Sequence, residues 1–75
     1  MKIYNEEYLK GFGEFIKEGR ERRNLSQTEV AEQVGIRQPY YSQIERGDRN
    51  ADLTLAMTIC KILDLDMSDF IKRYM

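Results

Sequence analysis

The chain has 75 residues and a formal net charge of −1, from 12 basic and 13 acidic side chains, with one cysteine and no histidine. This length permits one small hydrophobic core and therefore a single domain. The single cysteine excludes an internal disulfide, and the lack of histidine excludes a Cys/His zinc site, so we expect no metal and no cofactor.

Motifs narrow the class of function further. No apolar stretch approaches the length of a membrane span, and the N-terminus lacks a basic region followed by an apolar run. The sequence also has no nucleophile motif and no phosphate-binding loop. We therefore expect a cytoplasmic binding protein rather than an enzyme, without a role at a membrane.

Residues 1–11 form an N-terminal extension that we expect to be helical. Its apolar side chains continue the apolar face of the following segment, whereas Lys2 and Lys10 are offset by Glu6 and Glu7. One interpretation is a basic arm that wraps DNA. Packing or dimer contact is the interpretation that we favour, because the local charges cancel.

A first helix is predicted from Phe12 to about Arg23. The residues of its inner face are Phe12, Phe15, Ile16 and Gly19. Gly11, Gly13 and Gly19 each cost a helix about 1 kcal/mol relative to alanine, so this helix depends on tertiary contacts. At Gly19, either another helix approaches closely or a small void exists.

A second helix is predicted from Ser26 to Gly35. Ser26 and Glu29 have the spacing of a capping box, in which each side chain binds the backbone amide of the other residue. Gly35 stands where a helix end requires a positive φ. The apolar residues of the inner face are Val30, Ala31 and Val34.

The next helix is predicted to begin close to Gln38, because Pro39 suits a first helical turn. A residue before proline avoids the α region, so Gln38 is alternatively the cap and Pro39 the first helical residue. Tyr41 and Ile44 face inward on a helical wheel. The opposite face carries Gln38, Pro39, Ser42, Gln43 and Arg46.

Amides, hydroxyls and guanidinium groups pair with the edges of DNA bases in the major groove. We therefore predict that this helix reads bases through Gln38, Pro39, Ser42 and Gln43. The alternative is a solvated helix face that happens to be uncharged.

These residues resemble the helix-turn-helix family of phage Cro and lambda-type repressors, also called the Xre family. The matching positions are Gln27, Val30, Ala31, Val34, Gly35, Ile36, Tyr41, Ile44, Glu45 and Gly47. The resemblance covers residues 12–70 and implies an all-α, compact bundle of four or five helices, with the second motif helix in the major groove. The sequence departs from the family pattern at Gly19, where the family usually has leucine, and at Arg37, where the family prefers Ser or Thr.

The resemblance also implies roles for individual residues. In the family, an arginine at the position of Arg20 pairs with the glutamate that ends the recognition helix, here Glu45, and we treat both as structural. Gln27 is implied to contact phosphate or to support Gln38. The free backbone amides near Ser26 can also bind a phosphate, because the N-terminus of a helix attracts anions.

Residues around the recognition helix are expected to contact the DNA backbone. The expected contacts are Ser26, Gln27, Arg37, Tyr40, Arg46, Arg49 and Asn50. Tyr40 either stacks on the DNA edge or covers the turn, and Arg22 and Arg23 either reach phosphate or are solvated. Because the net charge is −1, we expect weak non-specific binding and a mildly basic face.

The C-terminal part is predicted to contain two further helices, capped by Asp52 and by Asp66 with Asp69. Cys60 lies on the apolar face of the first of them and is expected to be a buried thiol. Residues 12–75 thus form a helix-turn-helix domain with C-terminal dimerisation helices. The expected dimerisation residues are Leu55, Ile62, Phe70, Ile71 and Tyr74.

We therefore expect a DNA-binding transcriptional regulator. The specific prediction is a homodimeric repressor on a pseudo-palindromic double-stranded operator, with recognition helices about 34 Å apart. The alternative is an adaptor or antitoxin that has the same helix-turn-helix fold but binds a polypeptide, such as a toxin or an antirepressor. The slight acidic excess favours this alternative, and the Gln, Ser and Arg face opposes it.

Overall fold

The computed structural model describes residues 6–74, and the side chains of residues 6–73, as five α-helices. They are α1 (Glu6–Arg22), α2 (Gln27–Val34), α3 (Gln38–Arg46), α4 (Leu53–Ile62) and α5 (Met67–Tyr74). The described range contains no β-strand, so the predicted all-α class is confirmed. Residues 6–11 belong to α1; residues 1–5, and the side chain of the dimerisation candidate Tyr74, lie outside the described residues.

Local side-chain chemistry sets the ends of α2 and the start of α4. The hydroxyl of Ser26 accepts from the Glu29 amide at 3.0 Å, and the Glu29 carboxylate accepts from the Ser26 amide at 2.9 Å. Gly35 ends α2 with a φ of 90°. Asp52 caps α4 by accepting from the Leu55 amide at 2.8 Å. These bonds satisfy helix-end groups that have no partner within the helix.

The interpretation of Gln38 as a cap is wrong, because Gln38 is the first residue of α3. Arg37 takes the cap position in an extended conformation, with φ −76° and ψ 143°, and its side chain makes no capping bond. The Tyr41 amide donates to the Arg37 carbonyl at 3.1 Å and closes the first turn. This turn outweighs the preference of a residue before proline for extended backbone.

The core lies where all five helices meet. Its fully buried members are Phe15, Ile16, Val30, Ala31, Tyr41, Ile44, Ile59, Cys60 and Leu63. Burial raises the pKa of the Cys60 thiol to about 11, and its sulfur lies 4.0 Å from that of Met67. Cys60 is therefore a neutral packing residue rather than a reactive thiolate.

Close backbone contact between α1 and α3 positions the recognition helix. A Cβ atom on Gly13 would overlap the Glu45 carbonyl and lie 2.7 Å from the carbonyl oxygen of Ile44. At the end of α3, Gly47 has a φ of 78° and lies against the backbone of Lys10. Gly13, which weakens α1 as an isolated helix, thus allows the backbone of α3 to pack directly on it.

At Gly19 the structure shows neither the close approach of another helix nor a void. A Cβ atom there would lie 2.7 Å from Cδ1 of Leu65, so a side chain from the segment that joins α4 to α5 fills this space. Nearby, Phe70 of α5 packs on α1, with ring centroids 5.5 Å from Phe12 and 5.6 Å from Phe15.

Candidate nucleic-acid interface

The outer face of α3 is open to solvent and carries the predicted base-reading side chains. Pro39 and Arg46 are exposed, while Gln38, Ser42 and Gln43 are half-buried. In contrast, Tyr41 and Ile44 are fully buried, at 0% and 1% exposure. The helix therefore separates a core side from a polar side as its sequence period requires.

A chain of polar contacts joins the core to this face. Arg20 forms two hydrogen bonds with the Glu45 carboxylate, at 2.7 and 3.0 Å. Gln27 donates its Nε2–H to Glu45 Oε1 at 3.0 Å, and Gln38 donates its Nε2–H to Gln27 Oε1 at 2.8 Å. This polar chain (Arg20, Glu45, Gln27, Gln38) links α1, α2 and α3.

The polar chain also fixes which groups Gln38 presents to solvent. One amide hydrogen is used on Gln27, so the second hydrogen and the carbonyl oxygen stay available on the same side chain. An acceptor beside a donor is the pattern that pairs with the N6 and N7 positions of adenine. Gln38 is thus held against α2 through one of its two amide hydrogens.

The Arg20–Glu45 ion pair, at the inner end of the polar chain, is buried, because the Glu45 side chain is 2% exposed and the Arg20 side chain is 12% exposed. Burial alone raises the pKa of Glu45, but the hydrogen bonds from Arg20, with smaller effects of the nearby Tyr41 hydroxyl and of Gln27, outweigh it and the pKa is lowered. The hydrogen bond to Glu45 raises the pKa of Arg20. Both groups are therefore charged across the physiological range.

Tyr41 adds an unpaired group beside this ion pair. Its hydroxyl is buried and has no hydrogen-bond partner within the described part of the chain. Burial raises the pKa of Tyr41 strongly, and the nearby Glu45 carboxylate raises it further. Tyr41 is therefore a neutral core residue.

Two arginines hold the remaining outer side chains of α3. Arg46 donates to the Ser42 hydroxyl at 3.1 Å and to the Asp48 carboxylate at 3.0 Å. Arg49 donates its Nε–H to the side-chain oxygen Oε1 of Gln43 at 3.0 Å. Because these bonds are exposed, their exchange for contacts with another polar partner costs little net free energy.

The flanking candidates surround the same face. Arg37, Arg49 and Asn50 are exposed, and the Arg49 guanidinium lies 4.9 Å from the centroid of the Tyr40 ring. Tyr40 is half-buried and packs against the core, so it covers the turn and also supports a cation beside α3.

Sequence reasoning missed two lysines of α1. Lys10 and Lys17 line a surface depression of about 280 Å³ together with Glu14, Gln27, Glu45 and Arg46. Lys10 was considered only as part of a neutral N-terminal extension, and Lys17 was given no role. Their spacing of seven residues, two helical turns, places them on one side of α1 and was the available signal.

Arg22 and Arg23 lie in different surroundings. They share a depression with Asp64, Asp66 and Asp69. Three carboxylates beside two guanidinium groups leave no positive excess at this end of the molecule. Solvation, the plainer alternative for these arginines, fits their position.

Of the expected dimerisation residues whose side chains are described, only Ile71 is among the most exposed apolar side chains. Leu55, Ile62 and Phe70 are half-buried and pack against the core cluster. Among the side chains of residues 6–73, the large exposed apolar ones are Leu53, Met57 and Ile71, at 72%, 57% and 48% exposure. We call these three residues the apolar patch. The helical period alone does not distinguish half-buried apolar side chains at the edge of the core from exposed ones.

Other kinds of site were sought over the described residues. No group of three or more His, Cys, Asp or Glu side chains is arranged to hold a metal ion. Among the described helices, none has the length and apolar character to cross a membrane.

Comparisons with known proteins agree with this architecture. A helix-turn-helix family model matches residues 16–70. YqaE of Bacillus subtilis, described as an uncharacterized HTH-type transcriptional regulator, is 33% identical over 61 residues, which are 81% of this chain and 53% of YqaE. YgzD of the same organism, described in the same words, is 39% identical over 54 residues, 72% of this chain and 82% of YgzD.

A solved structure is also similar. The restriction-modification controller protein C.AhdI from Aeromonas hydrophila superposes with a TM-score of 0.76 at 31% identity, over 83% of this chain and 94% of C.AhdI. The chain thus spans most of C.AhdI and YgzD but about half the length of YqaE.

Proposed function

From the premise that this chain belongs to the helix-turn-helix family of transcriptional regulators, we propose that it binds double-stranded DNA with sequence specificity through α3. It is a regulator rather than an enzyme, as its family membership implies. The finer proposal is a homodimeric repressor that occupies a pseudo-palindromic operator and blocks access to it.

One observation carries the proposal. The exposed face of α3 bears two amides, a hydroxyl and a guanidinium group, and the first amide is held in place by the polar chain. An α-helix fits the major groove of B-DNA, where these groups distinguish one base pair from another. Rigid placement of a contact group lowers the ordering cost of binding.

The proposed roles follow from position. The base-reading residues are Gln38, Pro39, Ser42 and Gln43, and the backbone contacts are Ser26, Gln27, Arg37, Tyr40, Arg46, Arg49 and Asn50. To the backbone contacts we add Lys10 and Lys17, which border the same face. Contacts to phosphate set the register of the protein, and contacts to base edges set its specificity.

The test is a fluorescence-anisotropy titration against a duplex selected from random sequences, with a base-substituted duplex for comparison. Gln38→Ala and Gln43→Ala are each expected to reduce the preference for the selected duplex about tenfold or more, because a bidentate contact contributes about 1 to 3 kcal/mol of discrimination. Gln33→Ala, which removes an exposed amide from α2, is the matched control. If both α3 substitutions leave the preference intact, the assignment of the reading residues is wrong.

A second candidate is a protein-binding adaptor or antitoxin, favoured by the net charge of −1 and by the apolar patch. A toxin or an antirepressor is the expected kind of partner. The two candidates differ in their affinity for polyanions. Retention on heparin at low salt supports the DNA-binding proposal, while absence of retention together with no selectable duplex supports the adaptor.

A further inference from the structure

The Gln43 side chain, on the outer face of α3, is bound from one side by Arg49. The Arg49 Nε–H donates to Gln43 Oε1 at 3.0 Å, and the guanidinium lies 4.9 Å from the centroid of the Tyr40 ring, which holds it beside α3. A guanidinium has donors only, so this pairing uses the amide oxygen of Gln43 and leaves both of its N–H groups available. The second lone pair of that oxygen lies beside a positive charge, which disfavours a further donor.

Gln38 is bound in the opposite sense. Its Nε2–H donates to Gln27 Oε1 at 2.8 Å, so one N–H and the amide oxygen stay available. Gln38 thus presents a donor and an acceptor, whereas Gln43 presents donors. The two residues are five positions apart, about 7.5 Å along the helix or about two base-pair steps of B-DNA, so they face different base pairs.

The edges of the purine bases in the major groove fit these two patterns differently. Adenine presents an acceptor, N7, beside a donor, N6, whereas guanine presents two acceptors, N7 and O6. Gln43 can donate to guanine and keep its bond to Arg49. To contact both groups of adenine, Gln43 must offer its oxygen to N6 and lose that bond, which is charge-assisted. Guanine is therefore the better partner of Gln43.

Arg49 can hold Gln43 and contact the DNA backbone at the same time. A guanidinium has five N–H donors, and the bond to Gln43 uses the one on Nε. The Arg49 side chain is exposed, so its other donors can reach a phosphate. A phosphate contact therefore does not require the release of Gln43.

We propose that Arg49 is a specificity-determining residue, which orients the Gln43 amide so that Gln43 donates to N7 and O6 of a guanine, while Gln38 reads an adenine about two base pairs away. This inference rests on the proposed function and deepens it, because it assigns two bases of the half-site. Arg49 acts on specificity through Gln43 and is in that respect a positioning residue.

Selection of duplexes from random sequences, followed by anisotropy titration, tests the assignment. Gln43→Ala first identifies the base pair that Gln43 reads, as the position of the half-site at which this variant loses its preference. There we expect the unmodified chain to bind a G·C pair about fivefold or more tightly than an A·T pair. Equal affinity, a preference for an A·T pair, or no position that depends on Gln43 overturns the inference.

Arg49→Met removes the guanidinium and keeps an apolar side chain beside Tyr40. We expect it to lower the G·C preference at the Gln43 position to about twofold or less, because the Gln43 amide can then rotate and offer its oxygen. The preference at the Gln38 position is expected to stay unchanged. Circular dichroism confirms that the variant is folded.

Arg46→Met is the matched control, because it also removes an exposed arginine that is a proposed backbone contact. It is expected to weaken binding to all duplexes and to keep the G·C preference at the Gln43 position. If Arg49 only contacts phosphate, the two variants behave alike. An unchanged G·C preference in Arg49→Met therefore overturns the role of Arg49 as a positioning residue.

Modified bases test which atoms of the guanine are read, without any substitution in the protein. 7-Deazaguanine lacks the N7 acceptor and is expected to lower the affinity about threefold or more, whereas inosine, which keeps N7 and O6, is expected to leave it within about twofold. An unaltered affinity for the 7-deazaguanine duplex, or an equal loss with both bases, overturns the proposed contact.

Failure of the proposed function gives a different result. A chain that selects no duplex contradicts sequence-specific binding itself. A chain that selects a duplex and keeps its preference at the Gln38 position, but prefers an A·T pair at the Gln43 position, contradicts only the role assigned to Arg49 and Gln43.

Discussion

Glu45 is the residue on which three helices converge. Its carboxylate accepts from Arg20 of α1 and Gln27 of α2 while it stands on α3. A buried charge is tolerated only when it is paired and hydrogen-bonded, and removal of one partner of a buried pair costs about 3 to 5 kcal/mol. The same carboxylate therefore stabilises the fold and anchors the polar chain that ends at Gln38.

The lowered pKa of Glu45 makes this contribution depend on pH. A group whose pKa is lower in the folded state stabilises the fold above its unfolded-state value, here about 4.5, and loses that effect as the pH falls through the folded value. We expect Glu45→Gln to reduce the free energy of unfolding at pH 7 and to flatten its decline between about pH 5 and pH 3.

Urea denaturation across this pH range measures both effects. Glu32→Gln, at an exposed position of α2, provides the control and is expected to follow the unmodified chain. Parallel pH profiles for Glu45→Gln and the unmodified chain would show that Glu45 does not carry the acid sensitivity.

At the scale of elements, the contact between α1 and α3 determines how far the recognition helix stands from the core. The backbone of α3 lies against Gly13, and Lys10 lies against Gly47. This contact is made of backbone atoms, which have no rotamer with which to accommodate a larger neighbour. The contact between Gly19 and Leu65 differs, because the neighbouring group is the end of a flexible side chain.

This difference predicts opposite outcomes for two similar substitutions. Alanine favours an isolated helix over glycine by about 1 kcal/mol. At Gly13, overlap with the α3 backbone is expected to outweigh that gain and to destabilise the fold by about 1 to 3 kcal/mol. At Gly19, rotation of Leu65 is expected to keep the change within about 1 kcal/mol of zero.

Thermal unfolding of Gly13→Ala and Gly19→Ala, followed by circular dichroism, provides the measurement. Gly13→Ala is also expected to weaken specific DNA binding at a temperature where it is folded, because α3 must shift. A Gly13→Ala variant at least as stable as the unmodified chain would contradict the proposed backbone packing.

At the scale of the whole molecule, the distribution of charge matters more than the net value of −1. Lys10, Lys17 and Arg46 line one depression together with Glu14 and the ion-paired Glu45, while Asp64, Asp66 and Asp69 line another with Arg22 and Arg23. The first depression, which borders the proposed DNA-binding face, therefore has a small positive excess, and the second has a small negative one. Such a distribution orients an approaching polyanion.

The proposed phosphate contact of Lys17 is tested by salt dependence. Lys17→Ala is expected to lower the slope of log affinity against log salt concentration by about 0.9, the value for one phosphate on B-DNA. Lys61→Ala, at an exposed position of α4, is expected to leave the slope unchanged. Equal slopes for Lys17→Ala and the unmodified chain would remove Lys17 from the interface.

The apolar patch predicts self-association. Large exposed apolar surfaces mark association sites more often than they remain free. Met57→Glu is expected to shift a dimer to monomer in sedimentation equilibrium and to weaken operator binding, while Gln33→Glu, an exposed substitution of equal charge on α2, leaves the mass unchanged. A monomeric unmodified chain at concentrations that saturate the operator would refute the dimer.

Much of the fold was predictable from local chemistry in the sequence. The Ser26 and Glu29 cap, the glycine at 35 and the inward Tyr41 and Ile44 predicted a helix-turn-helix without coordinates, because caps and helical period act over three or four residues. The polar outer face of α3 followed from the same period.

Contacts between residues distant in the chain required the tertiary structure. The hydrogen bonds that orient Gln38, the approach of Leu65 to Gly19, the position of Lys17 beside Arg46 and the shift of exposed apolar surface to Leu53 and Met57 depend on how helices pack. Helical period says which side of a helix is apolar. The distance and angle of the neighbouring helix decide which of those side chains are covered and which polar groups meet.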